Sequence, residues 1–277
     1  MSPREVVDPA CEREQMESRL TPEDVAAACA AWTWVPESAT TVETDELLLV
    51  RYPEWFTQPL ALLRLEPRRP LDEAVGEVME RAREHDVDEL LWWVRLGSPE
   101  GLEDAVVGLG GVVDETLDVL ALDLTGPAVD LDVPTDLELR WNTDVATERD
   151  AQLVQTRVFG DEMPPDEELA SAARTAATTV PAGEGGCLVA YLDGRPVGAA
   201  GLAVGEHVAR LWGGSVLEEA RGHGVYRALL SARLDYAREH GLTMGLVKGR
   251  VQTSGPILRR AGFSVFGQEL SYVVPLR

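Results

Sequence analysis

The sequence predicts an α/β (α+β) protein made of two similar halves. Apolar stretches of strand length alternate with amphipathic stretches of helix length along the whole chain, and one order of elements occurs twice. A segment with two prolines and no periodicity, residues 125–135, separates the halves. Because 277 residues exceed the commonest domain size, we predict domains at residues 1–130 and 135–277.

The first half is predicted to begin with a short helix. Thr21 as N-cap, Pro22 at the first helical position and Asp24 at the third are typical of a helix start, and an apolar run to Trp32 follows. We expect the polar residues before Leu20 to form a frayed segment or a loose helix. The other elements predicted here are strands at 46–52 and 60–65, a helix at 71–85, a strand at 89–96, a helix at 100–109 and a strand at 112–124.

The second half is predicted to begin with a strand and two helices. The two strands that follow are joined by Asp193 and Gly194, a dipeptide typical of a tight β-hairpin. The predicted elements are a strand at 137–141, helices at 147–158 and 166–178, strands at 187–192, 196–204 and 208–216, a helix of about five turns up to residue 241, a strand at 242–248, a helix at 254–260 and a strand at 263–274.

An internal repeat relates the two halves. Residues 82–85 and 237–240 carry the same four residues, Ala-Arg-Glu-His, at the end of a predicted helix. A strand, a short helix, a glycine-containing turn and a long closing strand follow each copy. The first half is therefore predicted to be a shortened copy of the fold of the second.

Residues 208–241 organise the second half. An apolar strand runs into a loop with Arg221 and two glycines, and then into a helix. The first N–H groups of a helix lack intrahelical partners and carry the positive end of its dipole, and glycine lets an anion approach the backbone. Gly213 and Gly214 inside the strand predict a bulge, or a strand end splayed open for a ligand. The stretch is therefore predicted to bind a diphosphate, with an ordinary strand-turn-helix unit as the alternative.

This loop resembles the acyl-CoA loop of the GNAT superfamily of N-acyltransferases, whose pattern is Arg/Gln-x-x-Gly-x-Gly/Ala. Arg221 takes the first place, Gly224 the fourth, and Val216 the apolar position at the end of the strand. Tyr226 departs from the pattern, since the family prefers Gly or Ala there; its ring would either stack on or cover the pantetheine arm, or obstruct it. The order of elements in the second half is also that of the GNAT fold.

The resemblance implies tandem GNAT-like folds, each a mixed, mostly antiparallel sheet flanked by helices. In the first copy, residues 66–70 take the place of the loop and contain no glycine, so this degenerate copy is not expected to bind CoA. The second copy would bind acetyl-CoA or another acyl-CoA as co-substrate. The cofactor-binding residues implied by the resemblance are Ser215, Val216, Arg221, Gly222, His223, Gly224, Val225, Tyr226, Arg227 and Ser254.

In the family that the sequence resembles, an amine attacks the thioester directly. This reaction needs a base for the amine, a donor for the oxyanion and a proton for the leaving thiolate. The resemblance implies a backbone N–H around Ser215 and Val216 as the oxyanion donor, and a base near the start of that strand, at Glu206 or His207. The alternative for these last two residues is a solvated hairpin turn.

The usual acid of the family is missing. Many members carry a tyrosine four residues before a Gly-Phe pair, and Leu258 stands four residues before Gly262 here. Tyr272 on the last strand is a remote substitute. Thr253 and Ser254 are expected either to cap the helix that follows or to place one hydroxyl against CoA.

Charge and composition limit the partners. The net charge is −23, of which about −20 falls on residues 1–135, so nucleic acid and anionic membranes are not expected as partners. The acidity either attracts a cationic amine or only keeps the protein soluble. Three widely spaced cysteines and four histidines without ligand spacing predict no metal site. Without a signal-like or membrane-spanning segment, we expect a cytoplasmic protein.

The sequence thus predicts an acyl-CoA-dependent N-acyltransferase, in particular an N-acetyltransferase. It would transfer the acyl group to a small, cationic amine by direct attack in a ternary complex, with a homodimer as one assembly. The alternative is a non-catalytic CoA-binding or structural module, which Tyr226 and Leu258 motivate.

Overall fold

The computed structural model describes residues 20–277 and shows one mixed sheet of eleven strands with seven α-helices on its faces within that range. The predicted frayed segment before Leu20 lies outside the described residues. No helix within residues 20–277 combines the length and the apolar composition needed to cross a bilayer.

The predicted elements of the first half are confirmed within a few residues at their ends. The first helix begins with a reciprocal capping box, in which the Thr21 side chain accepts from the Asp24 N–H and the Asp24 carboxylate accepts from the Thr21 N–H. The elements are α1 (Pro22–Ala30), β1 (Thr40–Glu43), β2 (Leu47–Arg51), β3 (Leu60–Leu65), α2 (Leu71–Arg83), β4 (Glu89–Val94), α3 (Leu102–Gly108) and β5 (Val112–Asp123). Only β1 was not predicted.

The elements of the second half also follow the prediction. They are β6 (Leu137–Trp141), α4 (Val145–Phe159), α5 (Asp166–Ala182), β7 (Gly185–Leu192), β8 (Arg195–Gly205), β9 (Val208–Val216), α6 (Val225–Glu239), β10 (Met244–Arg250), α7 (Ser254–Arg260) and β11 (Ser264–Pro275). The helix α5 continues past the predicted end at residue 178, through Pro181, and stops at Gly183 in the left-handed conformation.

The two halves exchange their closing strands. The sheet order is β1-β2-β3-β4-β11-β5-β10-β9-β8-β7-β6. Thus β11, the last strand of the second half, pairs with β4 of the first half, while β5 of the first half pairs with β10 of the second. The two exchanged strands also pair with each other, which makes the sheet continuous. The predicted boundary between residues 130 and 135 lies in the β5–β6 connection. We propose that it separates the two halves along the chain, although the sheet continues across both halves.

Helices cover both faces of the second half. Ala151 and Val154 of α4 pack on Cys187 and Val189, whereas Leu229 of α6 packs on alternate residues of the same strands. Because successive side chains of a strand point to opposite faces, α4 and α6 lie on opposite sides of the sheet. We call these the α4 face and the α6 face.

The strand exchange predicts that neither half folds alone. A polypeptide of residues 131–277 would lack β4 and β5, so β11 would lose both of its neighbours and β10 would lose one, which leaves three strand edges unpaired. We expect this fragment to aggregate and to become soluble when co-expressed with residues 20–130, as seen by size-exclusion chromatography and circular dichroism. A monomeric, cooperatively folded 131–277 fragment would contradict the exchange.

Candidate active site

The parallel strands β9 and β10 separate before either of them ends. Their pairing runs from Val208 opposite Met244 to Leu211 opposite Val247, although β9 continues to Val216 and β10 to Arg250. A cleft of about 940 Å³ opens at this fork. The structure thus has the splayed strand end that the glycine pair predicted.

A bulge in β9 causes the separation. Gly213 and Gly214 together oppose Ala200 of β8, and Gly213 has a φ of +59°, a value that few residues other than glycine adopt. From the α4 face, Gln155 Nε2 donates to the Gly213 carbonyl at 3.4 Å. From the α6 face, Arg233 Nη1 donates to the Gly201 carbonyl at 2.9 Å. Carbonyls beside the bulge therefore keep hydrogen-bond partners although the ladder is interrupted.

The cation that supports the bulge is fully enclosed. Arg233 is 1% exposed, and its Nε donates to the Leu229 carbonyl at 3.0 Å. No carboxylate among the described residues pairs with it, and burial lowers the pKa of its guanidinium. The carbonyl oxygens and the neighbouring Tyr226 hydroxyl are thus what compensate the charge.

The loop after β9 leaves the start of α6 open. Gly222 and Gly224 have φ values of +81° and +75°, and Gly224 is the N-cap of α6 without a side-chain capping bond. The first N–H groups of this 15-residue helix, which begins at Val225, therefore face the cleft with no side-chain partner at the cap. This is the local geometry that favours an anion.

Polar side chains and the linker surround this helix start. Arg221 and His223 are exposed, and a ring nitrogen of His223 lies 3.1 Å from the Arg221 carbonyl. Arg227 Nη1 donates to Asp132 of the linker at 3.2 Å. A Cβ at Gly224 would lie 2.6 Å from a side-chain carbon of Pro134, so the linker packs directly against the loop.

The Tyr226 ring points inward, not outward over the loop. An added Cβ at Gly214 would lie 2.9 Å from its Cε2, so the ring occupies the space that the missing side chain leaves. Burial raises the pKa of its hydroxyl, which faces Arg233. Tyr226, which departs from the family pattern, thus packs beside Gly214 of β9 and the buried Arg233.

The remaining predicted cofactor residues lie at the same cleft. Ser215 and Val216 line it, and the Ser215 hydroxyl donates to the Ala199 carbonyl at 3.1 Å. Thr253 is the N-cap of α7 but makes no side-chain capping bond, and both Thr253 and Ser254 line the cleft. The structure therefore brings the loop, the strand end and the helix start together at one cleft, which His223 does not line, and their role in binding a cofactor stays a prediction.

On the α4 face the cleft contains residues that the sequence did not reveal. Lys248 and Arg250 lie on β10 just beyond its last pair with β9, and Glu115 lies on the exchanged strand β5. Arg250 forms an ion pair with Glu115, and its guanidinium carbon lies 5.7 Å from the centroid of the Phe159 ring. The exchanged strand β5 therefore contributes a carboxylate, Glu115, and the apolar Leu117 to a cleft that is otherwise lined by the linker and the second half.

Glu206 and His207 are not brought to the cleft. Both are exposed in the hairpin between β8 and β9, and Glu206 has a φ of +50°. His207 precedes Trp212, where the fork opens, by five residues, or roughly 16 Å along an extended strand. The geometry favours the solvated hairpin over the catalytic role.

Tyr272 is wrong as a substitute acid. It lies on β11 beside β4, is 2% exposed, and packs in the core of the first half with Trp92. Its hydroxyl donates to Glu103 at 2.6 Å, and burial raises its pKa to about 12. The strand exchange carried this residue away from the cleft.

Comparisons with known proteins agree with this geometry. The Acetyltransferase (GNAT) family model matches residues 151–255. GCN5-related N-acetyltransferases from Kribbella flavida and Sphaerobacter thermophilus have similar structures, with TM-scores of 0.62 and 0.63 and 16% identity each. The alignment with the Kribbella protein covers 86% of this chain and 90% of that protein. The alignment with the Sphaerobacter protein covers 83% of this chain and 77% of that protein.

A structure of two GNAT units also matches. The tandem GNAT protein from the clavulanic acid biosynthesis pathway has a TM-score of 0.61 and 18% identity, with 92% of this chain and 88% of that chain covered. At such identities these structures show the fold, and this one shows that the two-copy arrangement spans both halves. No curated protein matched the chain.

Arg221 offers a test of the loop. Arg221→Glu replaces an exposed guanidinium at the open helix start, so we expect the Kd of acetyl-CoA to rise about tenfold or more without a change in melting temperature. Isothermal titration calorimetry measures the Kd. Arg174→Glu, an exposed site on α5, makes the same change in net charge and serves as the control. Equal losses in both variants would exclude a specific loop contact.

Tyr226 offers a test of the inward ring. Tyr226→Ala should lower the free energy of unfolding by about 2 kcal/mol, because the ring fills the space beside Gly214. Tyr226→Phe removes only the hydroxyl that faces Arg233, so it should lower the free energy of unfolding by about 1.5 kcal/mol and keep the acetyl-CoA affinity. Urea denaturation and calorimetry measure both quantities. If the alanine variant instead kept its stability and bound acetyl-CoA more tightly, the ring would stand in the ligand's place.

Proposed function

Because residues 151–255 form a domain of the GNAT acetyltransferase family, we propose that this protein transfers an acetyl group from acetyl-CoA to the amine of a small molecule. The observation that carries the proposal is that the open start of α6 and the fork between β9 and β10 meet in one cleft. Such a cleft offers an anion site at one end and a passage between the strands to the α4 face.

The residues at the helix start fit the diphosphate of CoA. The first-turn N–H groups of α6 and the Arg221 side chain would hold the phosphates. There is space for them beside the backbone at Gly222, because a Cβ added there would have no heavy atom within 4 Å. Acetyl-CoA supplies the activated thioester. Arg227 would join this contact only by giving up its ion pair with Asp132.

Glu115 is proposed as the base for the acceptor amine. The amine nitrogen must lose a proton as it bonds to the thioester carbonyl carbon, while the carbon–sulfur bond breaks and the thiol leaves with a proton. Glu115 is the carboxylate that lines the cleft on the α4 face, and Arg250 holds it in place. The two linker carboxylates of the cleft, Asp130 and Asp132, lie near the helix start instead.

Main-chain groups are proposed to stabilise the oxyanion. The N–H groups around Ser215 and Val216 are fixed by the pairing of β9 with β8, so they need no reorganisation during the reaction. Leu258, at the position of the tyrosine acid in many related enzymes, is fully buried and supplies no proton. Thr253 and Ser254 are the hydroxyl groups that line the cleft near α7.

Calorimetry and a thiol-release assay test the function. We expect acetyl-CoA to bind, and a set of small amines to include acceptors that release free thiol. Glu115→Gln should lower kcat about 100-fold, since it removes the base, and leave the Kd of acetyl-CoA within about twofold. Glu167→Gln, an exposed site on α5, is the matched control and should change neither.

The outcomes separate an enzyme from a binding module. Acetyl-CoA binding without thiol release for any amine would favour the non-catalytic alternative. Full activity of Glu115→Gln would leave the transferase in place and remove this residue as its base.

A further inference from the structure

A second hollow lies on the α4 face beside the main cleft. It has a volume of about 190 Å³ and is formed by the segment after α1, the end of β2, and strands β3, β4 and β10. Lys248 lines both cavities. The hollow therefore begins where the strands fork, close to the point at which the acceptor has to meet the thioester.

Lys248 points to the side of the sheet that α1 covers. Met244 and Leu246, which alternate with it along β10, pack on Val25 and Cys29 of α1. Val247 points to the other side, into the core under α6. The lysine thus belongs to the face on which Arg250 and Glu115 line the main cleft.

The charges at the hollow leave an excess of one positive charge. Glu269 is completely buried; Lys248 Nζ lies 2.6 Å from one of its oxygens, and Arg95 Nε lies 3.9 Å from the other. Arg95 is already engaged, because its guanidinium also donates to the carbonyls of Cys29, Trp32 and Leu63. Among the described residues, Lys248 has Glu269 as its only ionic partner, and its Nζ also lies 5.4 Å from the centroid of the Trp32 ring.

The ammonium of Lys248 therefore has donors to spare. An ammonium carries three N–H groups, and one carboxylate oxygen does not use them all. Burial lowers the pKa of Lys248, and the neighbouring Glu269 carboxylate offsets only part of this shift. Lys248 is also the only lysine in the chain, against 24 arginines.

The other walls of the hollow are aromatic. Its rings come from Trp32, Trp34, Tyr52 and Trp93. Trp34 is 53% exposed, although its ring stacks on Tyr52 with centroids 6.0 Å apart. Rings of this kind bind a planar or apolar group by contact area and stacking.

We propose that this hollow recognises the acceptor through a carboxylate on Lys248 and a planar or apolar body between the tryptophans, with the acceptor's amine reaching into the main cleft. This inference rests on the proposed function and names its substrate class: amines that also carry a carboxylate, such as aromatic amino acids. It replaces the cationic acceptor expected from net charge, because the part of the main cleft on the α4 face carries Lys248 in addition to the ion pair of Arg250 with Glu115. The acidity of the first half lies instead on exposed side chains such as Asp45 and Glu54.

The single lysine permits a direct test on the unaltered protein. Reductive methylation with formaldehyde and cyanoborohydride, followed by mass spectrometry of the peptide that contains Lys248, reports how accessible its amine is. With CoA present, 3-phenylpropionate should slow this modification about tenfold at saturation, while 3-phenylpropanamide, which has the same ring but no charge, should not. Equal protection by both compounds, or protection by neither, would overturn the proposal.

The affinity for two ligands that differ in one carboxylate gives the second test. With CoA bound, calorimetry should show that tryptophan binds about tenfold or more tightly than tryptamine, and that Lys248→Met removes this preference. Arg174→Met is the control on an exposed site and should keep it. If Lys248→Met does not fold because Glu269 loses its partner, the double variant with Glu269→Gln removes the buried charge as well. A preference for tryptamine would overturn the proposal.

The two proposals fail in different ways. Carboxylate-dependent binding at Lys248 without thiol release would keep the pocket and reject the acyltransferase. Thiol release from amines regardless of a carboxylate, with Lys248 unprotected, would keep the acyltransferase and reject the pocket.

Discussion

The cleft depends on two hydrogen bonds that reach the β9 bulge from opposite faces of the sheet. Gln155 holds the Gly213 carbonyl from the α4 face, and Arg233 holds the Gly201 carbonyl from the α6 face. An interrupted ladder normally leaves backbone groups without partners, which is costly inside a protein. Here two side chains take the place of the missing ladder bonds, so β9 can separate from β10 after Leu211.

The same fork divides the chemistry between two sides. On the α6 face lies an open helix start with Arg221 beside it, suited to phosphate groups. On the α4 face lie an ion pair, Arg250 with Glu115, and the lysine that joins the cleft to the aromatic hollow. The fork is the passage between them, so a thioester on a long flexible arm is the kind of reactant that can enter from one side and be attacked from the other.

The sequence predicted what is encoded locally. Periodicity placed the helices and the longer strands, and the spacing of Arg221 and Gly224 after an apolar strand identified the loop. The strand β1 was not predicted, because its four residues are mostly exposed and show no alternation of apolar and polar side chains. Tyr272 was predicted near the cleft but lies in the first half. The sequence does not reveal this, because β5 and β11 are both long strands and their pairing partners are visible only in the folded sheet.

Residues that meet only in three dimensions were the ones missed. Glu115 and Arg250 are 135 positions apart, and no short motif links them. Gln155 looks like an ordinary polar residue of an amphipathic helix until the bulge is known. One signal was available, since Lys248 is the only lysine of the chain, against 24 arginines.

The exchanged closing strands also bear on how such a duplicated chain changes over time. A half without a cofactor loop, as predicted for the first, would ordinarily tolerate substitution and deletion. Here the last strand of the first half, β5, pairs with β10 of the second half, and β5 also carries Glu115, which lines the cleft. The second half therefore needs the closing strand of the first half, whether or not the first half binds a ligand of its own.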